Sequence, residues 1–287
     1  FPEKWAATQN NLASACSDRI RGERADNLEQ AISFYELALQ VYTREAFPEQ
    51  WAMTQNNLAS AYSDRIRGER ADNLEQAISF YELALQVRTR EAFPEKWAMT
   101  QGNLASALLE RFKLTEEVRD LEQAIICYRL AAENTPWESR QTDYLEKAAD
   151  SQYELGIALT QFGQWYDGLA ALEASLQTYR QVKNRLARAD ALQQIARTHY
   201  LMSNFDQART YFRDALRLYL AEQNAVGEAH CRSGLGRLFM RLNFIDDALQ
   251  ELNQACELYR KLENDTRLEE IQQVYQLAQK VKEKQPL

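Results

Sequence analysis

The 287 residues carry 34 basic and 42 acidic side chains for a net charge of −8, and the 45% apolar content allows a sizeable core. An acidic pI near 5.1 sets aside broad nucleic-acid binding, which needs a basic stripe to displace counterions. Five Pro and nine Gly are too few for a turn-rich β protein, and the abundant Leu, Ala, Gln, Glu and Arg favour helices.

In chain order, the first feature is repetition. Phe1, Phe47 and Phe93 stand 46 residues apart, and Trp5, Trp51 and Trp97, then Leu12, Leu58 and Leu104, recur in step. Each unit has a second apolar segment: Leu28, Ala31, Ile32, Tyr35, Ala38 and Leu39 in the first. Spacings of three and four place these on one helical face, so each repeat reads as a pair of helices. Pro2, Pro48 and Pro94 fall in the first turn of the first helix, where a missing N–H costs nothing. The preceding Phe suits a hydrophobic staple. Gly22 and Gly68 mark the turn between the helices. Asp26 with Glu29, and Asp72 with Glu75, have the spacing of capping boxes for the second helix. The third unit replaces the glycine turn with RFKLTEEVRDLEQAI, one residue longer, and is expected to cap with Asp120 and Gln123.

Past Pro136 the copying stops but the periodicity continues. Leu155, Ile195 and Leu235 are anchors forty residues apart, with Gly168, Ala208 and Ala248 in matching slots. A final apolar-periodic stretch from Leu268 to Val281 suits a terminal capping helix. The expected organisation is three long repeats over 1–138, three shorter ones over 139–262, and a capping helix and tail over 263–287, forming one continuous solenoid.

Leu155, Gly156, Leu159, Gly163, Gly168 and Leu172, then Leu235, Gly236, Phe239, Ala248, Leu252 and Ala255, follow a known order of small and large residues. This pattern resembles the tetratricopeptide repeat. The long units match it at Leu12, Ala13, Cys16, Ala31, Tyr35 and Ala38, with about six extra residues between the helices. They resemble repeats of large bacterial, especially cyanobacterial, signalling proteins and, more loosely, those of kinesin light chain. The resemblance implies an all-α, right-handed superhelical solenoid of antiparallel helix pairs with a concave groove lined by first helices. It also implies a non-enzymatic module binding a peptide or partner domain in that groove. The alternative is a regulatory scaffold controlling an adjacent effector, such as a caspase-like protease.

The groove positions are polar. In the first half they are Asn10, Asn11, Ser14 and Asp18, then Asn56, Asn57, Ser60 and Asp64, with Asn103 in the third unit. An Asn ladder can hold an extended peptide by its backbone, because each amide both donates and accepts. The same Asn residues could instead bond a neighbouring helix. In the second half the positions are Gln193, Gln194, Arg197, Tyr200, Arg237, Met240 and Arg241. Guanidinium forks there suit carboxylates or phosphates. The loops at 17–27 and 63–73 add Arg19, Arg21, Arg24, Arg65, Arg67 and Arg70 as a further surface.

Catalytic signatures are missing from the sequence. His199 occupies an aromatic core slot, and His230 adjoins Cys231 on a helix, where neighbours point about 100° apart. GxGxxG, HExxH and calcium-loop patterns are not found, so neither metal nor cofactor is expected. The five Trp are read as interhelical packing. Cys16, Cys127, Cys231 and Cys256 form no CxxC and read as free thiols of a reducing, cytoplasmic compartment. No apolar run approaches a membrane span, and neither membrane nor nucleic-acid partners are expected. The start without Met, directly in a repeat, reads as a piece of something larger.

Overall fold

The computed structural model describes residues 1–284, so 285–287 of the expected tail lie outside the described residues. Those described form thirteen helices and no strand. Two compact units divide the chain, one spanning Phe1–Ser151 and the other beginning at Gln152.

The first unit holds the pairs α1 (Pro2–Ser17) with α2 (Arg24–Leu39), α3 (Pro48–Asp64) with α4 (Arg70–Leu85), and α5 (Pro94–Thr115) with α6 (Val118–Asn134). It also takes the first part of α7 (Glu138–Gln161). Phe1, Phe47 and Phe93 stand immediately before α1, α3 and α5, and proline occupies the first turn of each. Small residues set the packing: Ala13, Ala31, Ala38, Ala59, Ala77 and Ala84 are fully buried. Tyr35 shares a buried cluster with Ala13 and Ala31, and Tyr81 shares one with Ala59 and Ala77. Trp51 and Trp97 are half-buried as packing residues, whereas Trp5, Trp137 and Trp165 are exposed, Trp137 beneath the Arg140 guanidinium at 4.5 Å.

The turns differ from expectation. Gly22 and Gly68 adopt φ of +85° and +82°, the left-handed region that favours glycine. The expected capping boxes do not form: α2 and α4 start at Arg24 and Arg70, with Glu23 and Glu69 as caps that make no side-chain bond. Asn27 and Asn73 close these loops instead. Both are buried, and Nδ2 of Asn27 donates to the Arg21 carbonyl at 3.0 Å while that of Asn73 donates to the Arg67 carbonyl at 2.8 Å. In the third unit Glu117 is the cap, and Asp120 occupies the buried Asn slot, taking a bidentate bond from Arg111 at 2.8 and 2.6 Å.

The second unit contains the rest of α7 and α8 (Trp165–Gln181), α9 (Arg185–Leu201), α10 (Phe205–Ala221), α11 (Ala225–Arg241), α12 (Ile245–Lys261) and α13 (Asp265–Glu283). Asn184, Asn224 and Asn264 cap α9, α11 and α13 by accepting from the backbone N–H three residues on, at 3.0, 2.8 and 3.1 Å. Gly156 and Gly168 allow the α7 and α8 backbones to touch, since a Cβ on Gly156 would lie 2.9 Å from the Gly168 carbonyl oxygen.

Candidate functional site

In the first unit, the two Asn of each pair part company. Asn10 and Asn56 are only 5% exposed, with Oδ1 3.2 Å from the hydroxyls of Thr54 and Thr100, one repeat on. They are corrected from groove residues to links between consecutive first helices, because an amide one helical position away from its neighbour faces about 100° elsewhere. Arg88, itself buried, adds a donor to this link through Nη1 to Thr100 at 2.9 Å. Asn11 is exposed and Asn57 half-buried, accepting from Nδ2 of Asn56 at 3.4 Å. Asn103 is half-buried.

Asn57, Ser14, Ser60, Asp18 and Asp64 share a small cavity of about 270 Å³. Two of its serines are already engaged: Ser14 pairs with the Tyr35 hydroxyl and Ser60 with that of Tyr81, each at 3.0 Å. Four of the loop arginines are also taken. Arg24 bridges to Asp64 at 3.0 Å, Arg65 forks onto Glu29 at 2.8 Å, and Arg67 and Arg70 pair with Asp26 and Glu110. The loops therefore clasp successive repeats, and only Arg19 and Arg21 lack an ion pair among the described residues.

The second unit gathers the other set. A cavity of about 410 Å³ opens between α9, α11 and α13 and is lined by Gln193, Gln194, Arg197, Tyr200 and Arg237. Met240 and Arg241 do not line it. The expectation also missed His230, Ser233, Tyr259, Arg267 and Glu270, which line it together with the apolar Phe212 and Ile271. Glu270 accepts from Arg237 at 2.5 Å and from Arg267 at 3.0 Å, so one carboxylate holds two guanidiniums. Arg197 is exposed and has no ion-pair partner among the described residues. Three guanidiniums against one lining carboxylate leave the cavity cationic. Nearby Arg232, by contrast, is fully engaged with Glu228 and Glu251 at 2.8 and 2.9 Å.

A buried polar group supports the cavity wall. The Tyr219 hydroxyl donates to Asp190 at 2.5 Å and lies 2.9 Å from the side-chain oxygen of Gln193. Burial pushes the Asp190 carboxyl above its ordinary range, partly offset by the Tyr219 bond and by His230. Burial, then Arg267, holds the His230 imidazole below its ordinary value. Cys231 is buried and its thiol is pushed far up by desolvation, which leaves it unsuited to act as a nucleophile with His230. His199 is buried and stacks on Tyr211 at 5.4 Å, in the aromatic slot read from the sequence.

Models of the tetratricopeptide repeat match residues 51–91 and 97–132, and a second such model matches 147–221. Together these segments span more than half the chain. The chain belongs to the tetratricopeptide repeat family. Among solved structures, it is similar to aspartyl phosphate phosphatase F from Bacillus subtilis, with a TM-score of 0.54 and 11% identity over 96% of this chain and 78% of that one. It is also similar to a signal transduction ATPase with numerous domains and a tetratricopeptide repeat sensor from Pyrococcus horikoshii, with a TM-score of 0.51 and 13% identity over 96% of this chain and 43% of that one. BtubC from P. vanneervenii aligns at a TM-score of 0.49 and 16% identity, over 83% of this chain and 92% of that one. At such identities the likeness concerns the fold. No curated protein matches the sequence.

In tetratricopeptide-repeat terms, α9 and α11 are first helices of consecutive repeats and α13 continues their row, so the cationic cavity lies along the row of first helices in the second unit. Among the described residues no cluster of metal-ligating side chains occurs, and no helix is long and apolar enough to cross a membrane.

The raised Asp190 titration carries a signed expectation. A carboxyl with a higher pKa folded than unfolded binds more protons when folded, so its contribution to stability falls as pH rises from the unfolded towards the folded value. Asp190→Asn keeps an acceptor for Tyr219 without the buried charge. The variant is expected to flatten this part of the stability–pH profile and to equal or exceed the parent at pH 7, as read by urea denaturation at pH 4–7.

Proposed function

We propose that this chain is a non-enzymatic protein-interaction module whose second unit receives an acidic peptide segment of a partner in the cavity between α9, α11 and α13. Tetratricopeptide repeats mediate protein–protein interaction. The observation that carries the finer reading is the unpaired Arg197 beside Arg237 and Arg267, which share Glu270. A planar guanidinium suits bidentate recognition of a carboxylate, and Tyr200, Phe212 and Tyr259 offer apolar walls for flanking side chains. The first-unit cavity has less to offer an anion, since Arg24 faces both Asp18 and Asp64. There, Asn57 is the one lining amide left for a peptide backbone. The four free cysteines suit a reducing compartment such as the cytoplasm.

Selection of random twelve-residue peptides on the immobilised full chain tests the proposal. Asp- and Glu-rich peptides should be enriched, and Arg197→Gln should weaken them roughly tenfold, since a hydrogen bond to a charged group contributes about 1.5–3 kcal/mol. The double change Asn11→Ala with Asn57→Ala should leave them bound. Failure to enrich any peptide would remove the interaction reading. Peptides insensitive to Arg197→Gln combined with Arg237→Gln would remove only the cavity from it.

A further inference from the structure

Among the described residues, Glu270 is the one carboxylate lining the cavity between α9, α11 and α13, and both its oxygens are engaged. Oε1 accepts from Nη2 of Arg237 on α11 at 2.5 Å, and Oε2 accepts from Nη1 of Arg267, three residues earlier on α13, at 3.0 Å. The carboxylate thus lies between two guanidiniums, in the place a ligand carboxylate must take to use them. Asp190 is held by the Tyr219 hydroxyl and does not line the cavity. Arg197 on α9 differs from the other two arginines: it is exposed and has no ion-pair partner among the described residues. The side chains of Arg237, Glu270 and Arg267 keep 36%, 46% and 54% of their surface in solvent. Ion pairs this exposed contribute little to stability, so Glu270 is not a strut on which the fold depends.

We infer that Glu270 is a specificity-determining residue, a resident competitor through which the cavity accepts one acidic group, at Arg197, and turns away a second. The inference rests on the acidic-peptide reading of this cavity and adds how many acids it reads. A first carboxylate reaches Arg197 by displacing only water. A second must exchange with Glu270 for Arg237 and Arg267, which swaps one carboxylate for another with little net gain. The displaced Glu270 then still faces the bound acid as a like charge, and a built-in repulsion of that kind is a source of selectivity.

Two blocked tripeptides serve as probes: acetyl-Gly-Glu-Gly-amide with one carboxylate and acetyl-Glu-Gly-Glu-amide with two. Each is titrated into the full chain and followed by the arginine Nε–H signals. The parent should bind the two within about threefold of one another. Glu270→Gln should prefer the two-acid peptide by about tenfold, the worth of one further hydrogen bond between charged groups. Its urea midpoint should change little. Adding Arg237→Gln and Arg267→Gln to that variant should abolish the preference. A weakened fold cannot produce a gain for one probe over the other. An unaltered ratio in Glu270→Gln, or no measurable gain for the two-acid peptide, would overturn the inference. So would weaker binding of both probes with a lowered urea midpoint, which would assign Glu270 to packing of α13. A shifted ratio with no peptide enriched on the parent would uphold the role of Glu270 and remove only the protein-partner reading.

Discussion

Leu58→Ala is expected to destabilise the first unit by about 2–5 kcal/mol, the range for removing a buried leucine and leaving a cavity. The same change one repeat earlier, Leu12→Ala, should cost a small fraction of that. The two leucines sit in near-identical sequence, NNLASA in both cases, so local helix propensity cancels in the comparison. They differ in burial alone, 1% against 42% exposed. Leu58 packs against Ala13, Ala31 and Tyr35 of the preceding pair, so its loss opens the seam between repeats. Urea denaturation followed by circular dichroism, with hydrogen exchange on α1 and α3, reads both variants. Equal large losses would mean that the α1 face is already covered in solution.

The pair structure was legible because several independent signals coincide. The 46-residue period, the three-and-four spacing of apolar residues, proline at helix starts and glycine at turns all point to the same helices. Caps were misread for a physical reason. Asp26 and Glu29 have capping spacing, but the cap falls three positions earlier, at Glu23, so that the helix starts at Arg24 and Glu29 is free for Arg65.

The candidate site was half legible. Adjacent letters such as Asn10 and Asn11 look alike in sequence, yet one turns towards Thr54 and the other to solvent. The recurrence of Thr8, Thr54 and Thr100 two positions before each first position of the pair was a signal that could have separated them. Likewise, the opposite charges at Arg24 and Asp64, and at Arg70 and Glu110, recur at a constant separation of forty residues. In the second unit repeat register leads to Gln193, Gln194, Arg197, Tyr200 and Arg237 on first helices, but passes over His230 and Ser233 of α11. Tyr259 on α12, and Arg267 and Glu270 on α13, lie on a second helix and a terminal helix, which fall outside that register.

Arg111→Leu should be the most damaging single charge removal in the first unit, costing about 3 kcal/mol, the low end for breaking a buried ion pair. Asp120 is only 2% exposed and fills the slot where Asn27 and Asn73 close their loops. In repeats one and two an uncharged amide donates to loop carbonyls, so no counter-ion is needed. In repeat three the longer α5 carries Arg111 across to fork onto the carboxylate. Without that fork a buried charge is left unpaired, although Arg111 itself keeps about a quarter of its side chain in solvent, which holds the cost to the low end. Arg65→Leu provides the contrast: it breaks a fork of similar geometry onto Glu29, but both partners are about a quarter exposed, so the loss should stay under about 1 kcal/mol. The double variant Arg111→Leu with Asp120→Leu should recover most of the stability, because apolar groups of similar size replace a buried pair with little net cost. Denaturation midpoints of the four proteins decide the matter. If Arg111→Leu and Arg65→Leu lose the same small amount, Asp120 is solvated in solution and the Asn slot tolerates a charge by itself.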